Sequence, residues 1–442
     1  MKKLASLILA AAIFASLAGC GAQASSAAPA DTAGSSSAAP AAAEPLNEDI
    51  TFWFCYTDKV QENNENLTKE FNDTVGKELG ITVTAEYQGD YATMSQKLKA
   101  AYVAGTAPAV TVMDVSMLQP YTKSGVLQPL DTYLQRDAEE VALDDFQPAF
   151  LTDSVYNGKT YSLPYLRSTP ILYLNTALLE QAGLDAAGPS DWSELERYAK
   201  TIKEKTGKYG ITIFANAWLF QAFMMEQGSS LYNEDATATN INTDAAKAVI
   251  SMITRMRDAG TARMISSSQA SDGLLADVAG QNCAMWFYSA GGLTTLIGLG
   301  QKSGFDVTVA PMPKGEVMAL PTGGANLVMT SKLTDTQKEA AWQFIKWMTL
   351  KEQTITASVT TGYLPSRISA ASDPAMEAVF EQTPEFKTVI DQLQYAGGKT
   401  PSATEADAAI VSALDAIWIN NADMDTTLAE LEVKVNALLN QG

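Results

Sequence analysis

The sequence predicts an α/β protein of two lobes, each built on a mostly parallel sheet, with crossover hinge segments between them. Three observations carry this expectation. Strand-like and helix-like segments alternate along most of the chain. A chain of 442 residues is long for a single core, which favours two. Residues 159–185 read as a passage between lobes: an aromatic-rich turn at 161–165, the step Ser168-Thr169-Pro170, an apolar strand at 171–174 and a helix ending at Gly183. In open α/β sheets, ligands sit where strand ends meet a change of topology, so this stretch is expected to face a cleft.

Taken in order, residues 1–19 read as an export signal. Lys2 and Lys3 precede an apolar run too short to span a bilayer. Leu17-Ala18-Gly19-Cys20 resembles a bacterial lipobox, which makes Cys20 the expected lipidation site. Residues 20–46 form an Ala/Ser/Pro-rich tether with too few large apolar groups to pack. The first lobe is expected over 47–165, with strands at 50–56, 81–87 and 109–115 and helices at 60–79 and 91–104. Tyr91 starts a helix after Gly89-Asp90, and Asp114 ends a buried strand. Both fall at the carboxyl edge of the predicted sheet. Each has a plain structural alternative, core cover for Tyr91 and helix capping for Asp114.

The second lobe is expected over 166–309. Ser190 is read as the cap of a helix at 191–205, followed by a strand at 209–214. Trp218 comes directly after that strand and is a cleft candidate, whereas Phe220 and Phe223 read as core. A helix at 243–259 and a strand at 283–288 lead to Ser289-Ala290-Gly291-Gly292. Its backbone amides can hold a ligand oxygen, or its glycines can simply permit close packing. A strand at 305–310 and Pro311-Met312-Pro313 mark the return to the first lobe, 310–362. There Gly323 and Gly324 allow close backbone approach, and Asn326 opens an apolar run. A helix at 334–350 follows. The last part, 363–442, begins at the turn carrying Tyr363 and ends in helices at 405–419 and 424–439, assigned to the second lobe.

Composition narrows the function. Fifty acidic residues oppose 30 basic ones, for a formal charge of −20, which argues against nucleic acid and anionic membrane surfaces as partners. Histidine is absent, which excludes Ser-His-Asp and Cys-His mechanisms and imidazole metal sites. Carboxylate-pair chemistry, as in a glycoside hydrolase, is not excluded by composition. Cys55 and Cys283 are expected as buried free thiols in different lobes. Gly398-Lys399-Thr400 is not the end of a P-loop, because Leu393 stands where its first glycine belongs.

The ordered series ITFWF, GDYATM, GTAPAV, SLPYLRSTPILYLN, CAMWF, APMPKG, GGANLV and TGYLP, behind a lipobox and tether, resembles the family 1 extracellular solute-binding proteins of bacterial ABC importers. Within the carbohydrate group of that family it is most similar to the glycerol-3-phosphate-binding type. The resemblance implies a type II periplasmic-binding-protein-like fold, no enzymatic activity, no cofactor and no metal. It implies a monomer anchored by lipid at the outer face of the cytoplasmic membrane, partnered by ABC permease subunits and a sugar or sugar-like solute. It carries ligand contacts onto Tyr91, Asp114, Ser168, Trp218, Ser289, Gly324 and Tyr363, with Gly323 and Asn326 beside them. The type's phosphate-holding arginine has Lys399 as its nearest counterpart, with Arg167 as a possible substitute. Sugar chemistry is thus better supplied than phosphate chemistry, and an uncharged or weakly anionic ligand is expected.

Overall fold

The computed structural model describes residues 45–233, 236–397 and 404–440. The expected signal, Cys20, nearly all of the tether and Lys399 lie outside the described residues. Strand β1 (Glu48–Phe54) turns Ile50, Phe52 and Phe54 inward, the period-2 signature of a strand on a core. Helix α1 (Asp58–Asp73) stops at Thr74, whose hydroxyl bonds the Glu70 carbonyl, before a short turn at Val75–Leu79. The single helix expected at 60–79 is therefore two. Strand β2 (Ile81–Tyr87) leads to helix α2 (Tyr91–Ala104), where Asp90 accepts the Thr93 N–H at 2.8 Å. Strand β3 is Val110–Asp114.

The passage between sheets is abrupt. Strand β4 (Ser162–Ser168) and strand β5 (Pro170–Asn175) are separated by Thr169 alone, yet they belong to different sheets. The expected aromatic turn at 161–165 is thus largely strand, every residue of it from Ser162 onward being buried. The crossing falls at Thr169, beyond the boundary expected at 166. The second sheet continues with helix α3 (Thr176–Ala182), helix α4 (Trp192–Thr206), strand β6 (Tyr209–Phe214) and helix α5 (Ala217–Glu226). Asp191, not Ser190, caps α4. Its carboxylate accepts the Glu194 N–H, while Glu194 reaches back to Ser190. Helix α6 (Asp244–Asp258), strand β7 (Ala262–Ile265), helix α7 (Ala270–Ala279), strand β8 (Cys283–Ser289), helix α8 (Leu293–Lys302) and strand β9 (Val307–Ala310) complete it.

Strand β10 (Gly323–Met329) then returns to the first sheet, with the glycine pair at its start. Helix α9 (Asp335–Met348) carries a capping box between Thr334 and Gln337. Helix α10 (Lys351–Thr361) precedes Tyr363, and helices α11 (Thr404–Trp418) and α12 (Met424–Leu439) close the chain. The sheet orders are β2-β1-β3-β10-β4 and β9-β5-β8-β6-β7. Among the described residues, four of the eight strand pairs in these sheets are parallel and four antiparallel. The sheets are mixed instead of mostly parallel. The strands next to each crossing run antiparallel to a neighbour, because they arrive directly from the other sheet and not through a βαβ turn.

Two cores result. The first gathers Phe52, Phe54, Phe71, Trp342 and Phe344. Phe344 sits edge-on to both Phe52 and Phe71, with centroids 5.2 and 5.1 Å away. The second holds Tyr173 stacked on Trp286 at 5.7 Å, with Leu195, Ile250 and Leu414. Each large side chain fully buried this way contributes about 1.5–3 kcal/mol. Cys55 and Cys283 are free and buried, and burial pushes the Cys283 thiol up to about 12, so it acts as a small apolar group. Among the described residues, no helix is long and apolar enough to cross a membrane.

Candidate functional site

The carboxyl edges of both sheets, with the crossing segments between them, enclose a cleft of about 840 Å³ counted out to solvent at its mouth. From the first lobe come Tyr56, just past β1, Tyr91 at the start of α2, and Asp114, Val115 and Ser116 at the end of β3. From the second come Asn216, Trp218 and Gln221 at the start of α5, Leu231 and Tyr232 from the following loop, and Asp407 from α11. Ser168, Thr322, Gly323, Gly324 and Tyr363 line it from the crossings. The geometry follows from local structure. A strand that ends in a helix start presents its next side chains and amides at the sheet edge.

Aromatic groups form much of the wall. Tyr56 and Tyr91 meet edge to face at 5.0 Å and 85°. Burial raises the Tyr91 and Tyr363 hydroxyls above the ordinary phenol range, so both stay neutral donors. Tyr363 follows Gly362, whose φ of +87° ends α10, and the Leu364 N–H bonds the Arg167 carbonyl at 2.8 Å. Its ring crosses to Gly291, where an added Cβ would lie 2.8 Å from the ring. Gly292 packs as tightly under Tyr288. The glycines after Ser289 therefore serve close ring packing.

Trp218 is held from both sides. Asn216 caps α5 by accepting the Leu219 N–H at 2.9 Å, which aims the first turn into the cleft. The indole N–H donates to the Thr322 carbonyl at 3.0 Å. A Cβ at Gly323 would lie 2.6 Å from Trp218 Cζ2, and one at Gly324 would lie 2.0 Å from the Leu166 carbonyl oxygen. The glycine pair thus makes room for an indole on one side and a neighbouring strand on the other.

Asp114 has both expected roles open to it in geometry. It caps the turn Val115–Met117 by accepting the Ser116 N–H at 2.9 Å, and it also lines the cleft. Burial raises its carboxyl above the ordinary range, against the pull of Ser116 and of the Arg167 charge. Across the cleft, the Tyr232 hydroxyl donates to Asp407 at 2.8 Å.

Three expected residues are not on this wall. Arg167 is fully buried behind it. Its Nε donates to the Gly323 carbonyl, Nη1 to Asn326 Oδ1 at 2.6 Å, and Nη2 to Asp153 at 2.9 Å and Thr322 at 2.6 Å. The guanidinium also lies 4.8 Å from the Phe150 ring. Asn326 spends its amide on Arg167, Ser154 and Ser162. Arg167 is therefore no substitute for a phosphate-holding arginine, because its donors are already committed to the crossing strands. Ser289 lies in an adjoining chamber beyond Trp218.

Tyr56, Val115, Ser116, Asn216, Gln221, Leu231, Tyr232, Thr322 and Asp407 were not anticipated. Tyr56 was read as the last residue of the strand at 50–56, whereas β1 ends at Phe54 and leaves Tyr56 at the sheet edge. Gln221 is 3 % exposed, and its Oε1 has no hydrogen-bond partner. Its Nε2 has only the Met225 sulfur, at 3.8 Å. An unmatched amide in a cleft wall costs free energy until a ligand meets it. Among the described lining residues, two are carboxylic acids and none is a lysine or arginine. Such a wall suits hydroxyl donors and C–H ring faces.

Residues 66–388 match the family model for bacterial extracellular solute-binding proteins. The sn-glycerol-3-phosphate-binding periplasmic protein UgpB of Agrobacterium fabrum is 25% identical over 400 residues, covering 86% of this chain and 88% of that protein. UgpB from Mycobacterium tuberculosis, solved in complex with glycerophosphocholine, superposes with a TM-score of 0.77 at 26% identity, covering 89% of this chain and 99% of that one. The GacH receptor of Streptomyces glaucescens shares the fold, with a TM-score of 0.75 at 22% identity over 89% of this chain and 98% of that one. With a two-lobed fold, a cleft lined from both sheets and a family match spanning most of its length, the chain belongs to the bacterial extracellular solute-binding proteins.

Proposed function

We propose that the protein captures an uncharged carbohydrate or sugar-like solute between its lobes and delivers it unaltered to the permease subunits of an ABC importer. We also propose that a lipid on Cys20 holds it at the outer face of the cytoplasmic membrane. The observation that carries the ligand class is the cleft wall: five aromatic side chains and two carboxylic acids, with no cation among the described lining residues. Sugar hydroxyls bond to Asp114 and to the unmatched Gln221 amide, and ring faces lie on Trp218 or a tyrosine. A ligand touching both lobes favours their closed arrangement by its differential affinity, and the closed faces are what a permease reads. No bond is made or broken.

A second reading is a glycerol phosphate or glycerophosphodiester. The relatives named for sn-glycerol 3-phosphate and the neighbour bound to glycerophosphocholine favour it. A phosphate needs cations or several N–H donors to replace its hydration, and the described wall supplies no cation. A thermal-shift screen of sugars, polyols and glycerophosphodiesters separates the readings. A ligand at about 100 times its Kd adds about 2.7 kcal/mol of stability. The proposal expects that shift from a neutral sugar. A shift from phosphate esters alone favours the second reading.

A further inference from the structure

The cleft does not end at Trp218. A second chamber of about 620 Å³, again counted out to solvent, adjoins the first and shares Trp218 and Asn216 with it. Their chemistry differs. The first carries Asp114 and Asp407, whereas the second has no carboxylate and no cation among its described lining residues.

The rings of Phe214, Trp218 and Tyr288 wall the second chamber, with Phe214 and Tyr288 meeting edge to face at 6.4 Å. Polar groups stand among these rings. Asn216 has its amide oxygen engaged as the cap of α5, so its amino group is the end that serves a ligand. Ser289 accepts the Gly291 N–H, which leaves its hydroxyl to donate, and Ser271 is exposed at the start of α7. Rings that offer a face, with hydroxyl and amide groups between them, suit a second neutral sugar ring better than a charged group or a bare alkyl tail.

We infer that the solute has at least two sugar units and straddles Trp218. One unit lies against the carboxylates, and an uncharged second unit lies between Tyr288, Asn216, Ser271 and Ser289. This rests on the carbohydrate reading above and narrows it to oligosaccharides.

The test titrates the purified protein with matched sets: glucose, maltose and maltotriose; xylose and xylobiose; mannose and mannobiose. Glycerol 3-phosphate runs beside them. Ser271→Trp, at an exposed position, fills the second chamber, and Ser271→Phe serves if the larger ring disturbs folding; the melting temperature of ligand-free protein reports this. The expected result is a two-unit sugar that binds at least about ten-fold tighter than its one-unit counterpart, with that gap erased in the filled variant. Equal affinity for one and two units, or a gap that survives filling, overturns the two-unit inference and leaves the carbohydrate reading standing. Binding of glycerol 3-phosphate alone, or of no sugar in the sets, overturns both.

Discussion

The Trp218 indole N–H donates to the Thr322 carbonyl at 3.0 Å, joining the first turn of a second-lobe helix to the segment that enters the first sheet. The next residue, Gly323, lies flat against the same indole. The ring proposed to face the solute is thus positioned by the crossing itself. Gly323→Ala places a methyl where the indole now lies. Displacement of the ring should weaken solute binding by about ten-fold or more, and overpacking should cost about 1–3 kcal/mol of stability. Calorimetric titration and urea unfolding check the two parts separately.

Gln221 should separate binding from stability. Its Oε1 is buried without a partner in the ligand-free protein. Turning the amide over only exchanges which end goes unmatched. Gln221→Leu removes that unmatched group, so ligand-free stability should hold or rise by about 1 kcal/mol. Solute affinity should fall by about ten-fold or more, because the ligand then loses its own partner. A variant that loses stability and keeps its affinity would show that Gln221 faces no ligand.

Solute affinity should depend on pH through Asp114. Burial raises this carboxyl, so in the free protein it takes up a proton above the ordinary aspartate value of about 3.9. Hydroxyls that donate to the carboxylate favour its charged form and lower its pKa in the complex. Binding therefore releases a proton, and affinity falls as pH drops through the free-protein titration. The ligand-free fold responds in the opposite sense. It holds this proton more tightly than the unfolded chain, so protonating Asp114 adds stability as pH falls towards the unfolded value. Asp114→Asn should flatten the affinity profile between pH 4 and 7, measured as Kd across that range; an unchanged slope would exclude Asp114 as its source.

Arg167 should behave as a strut. Its guanidinium binds the Gly323 carbonyl, Asn326 and Thr322 on the returning segment, and Asp153 in the turn Thr152–Ser154. Arg167→Met removes the buried ion pair with Asp153 together with the bonds to Gly323, Asn326 and Thr322, and should cost roughly 3–5 kcal/mol. Urea unfolding of the ligand-free protein measures it. A loss below about 1 kcal/mol would mean that water or a rearrangement replaces the guanidinium.

Much of the architecture was legible because strands and helices carry their periods in the chain. The ranges 81–87, 91–104, 209–214 and 424–439 coincide with observed elements. Trp218, Tyr91 and Asp114 were legible for a related reason: each falls where a strand gives way to a helix or turn, and such junctions lie at the sheet edge. Gln221, Tyr232 and Asp407 were not, since a helix face, a loop and a distant helix meet there only through long-range packing. Arg167 misled because a charge in a crossing strand reads as exposed until the strands on either side are known to bury it. The glycine pair was legible as a place of close backbone approach, but not that an indole and a neighbouring strand are what approach it.

Side-by-side calorimetric titration of the wild type and Trp218→Ala with neutral sugars and with glycerol 3-phosphate tests the central claim most directly. The account predicts saturable binding of a neutral carbohydrate by the wild type, lost by about 100-fold or more in Trp218→Ala, and no comparable heat from glycerol 3-phosphate. Tight binding of glycerol 3-phosphate with none of any sugar, or sugar binding indifferent to Trp218, would contradict it.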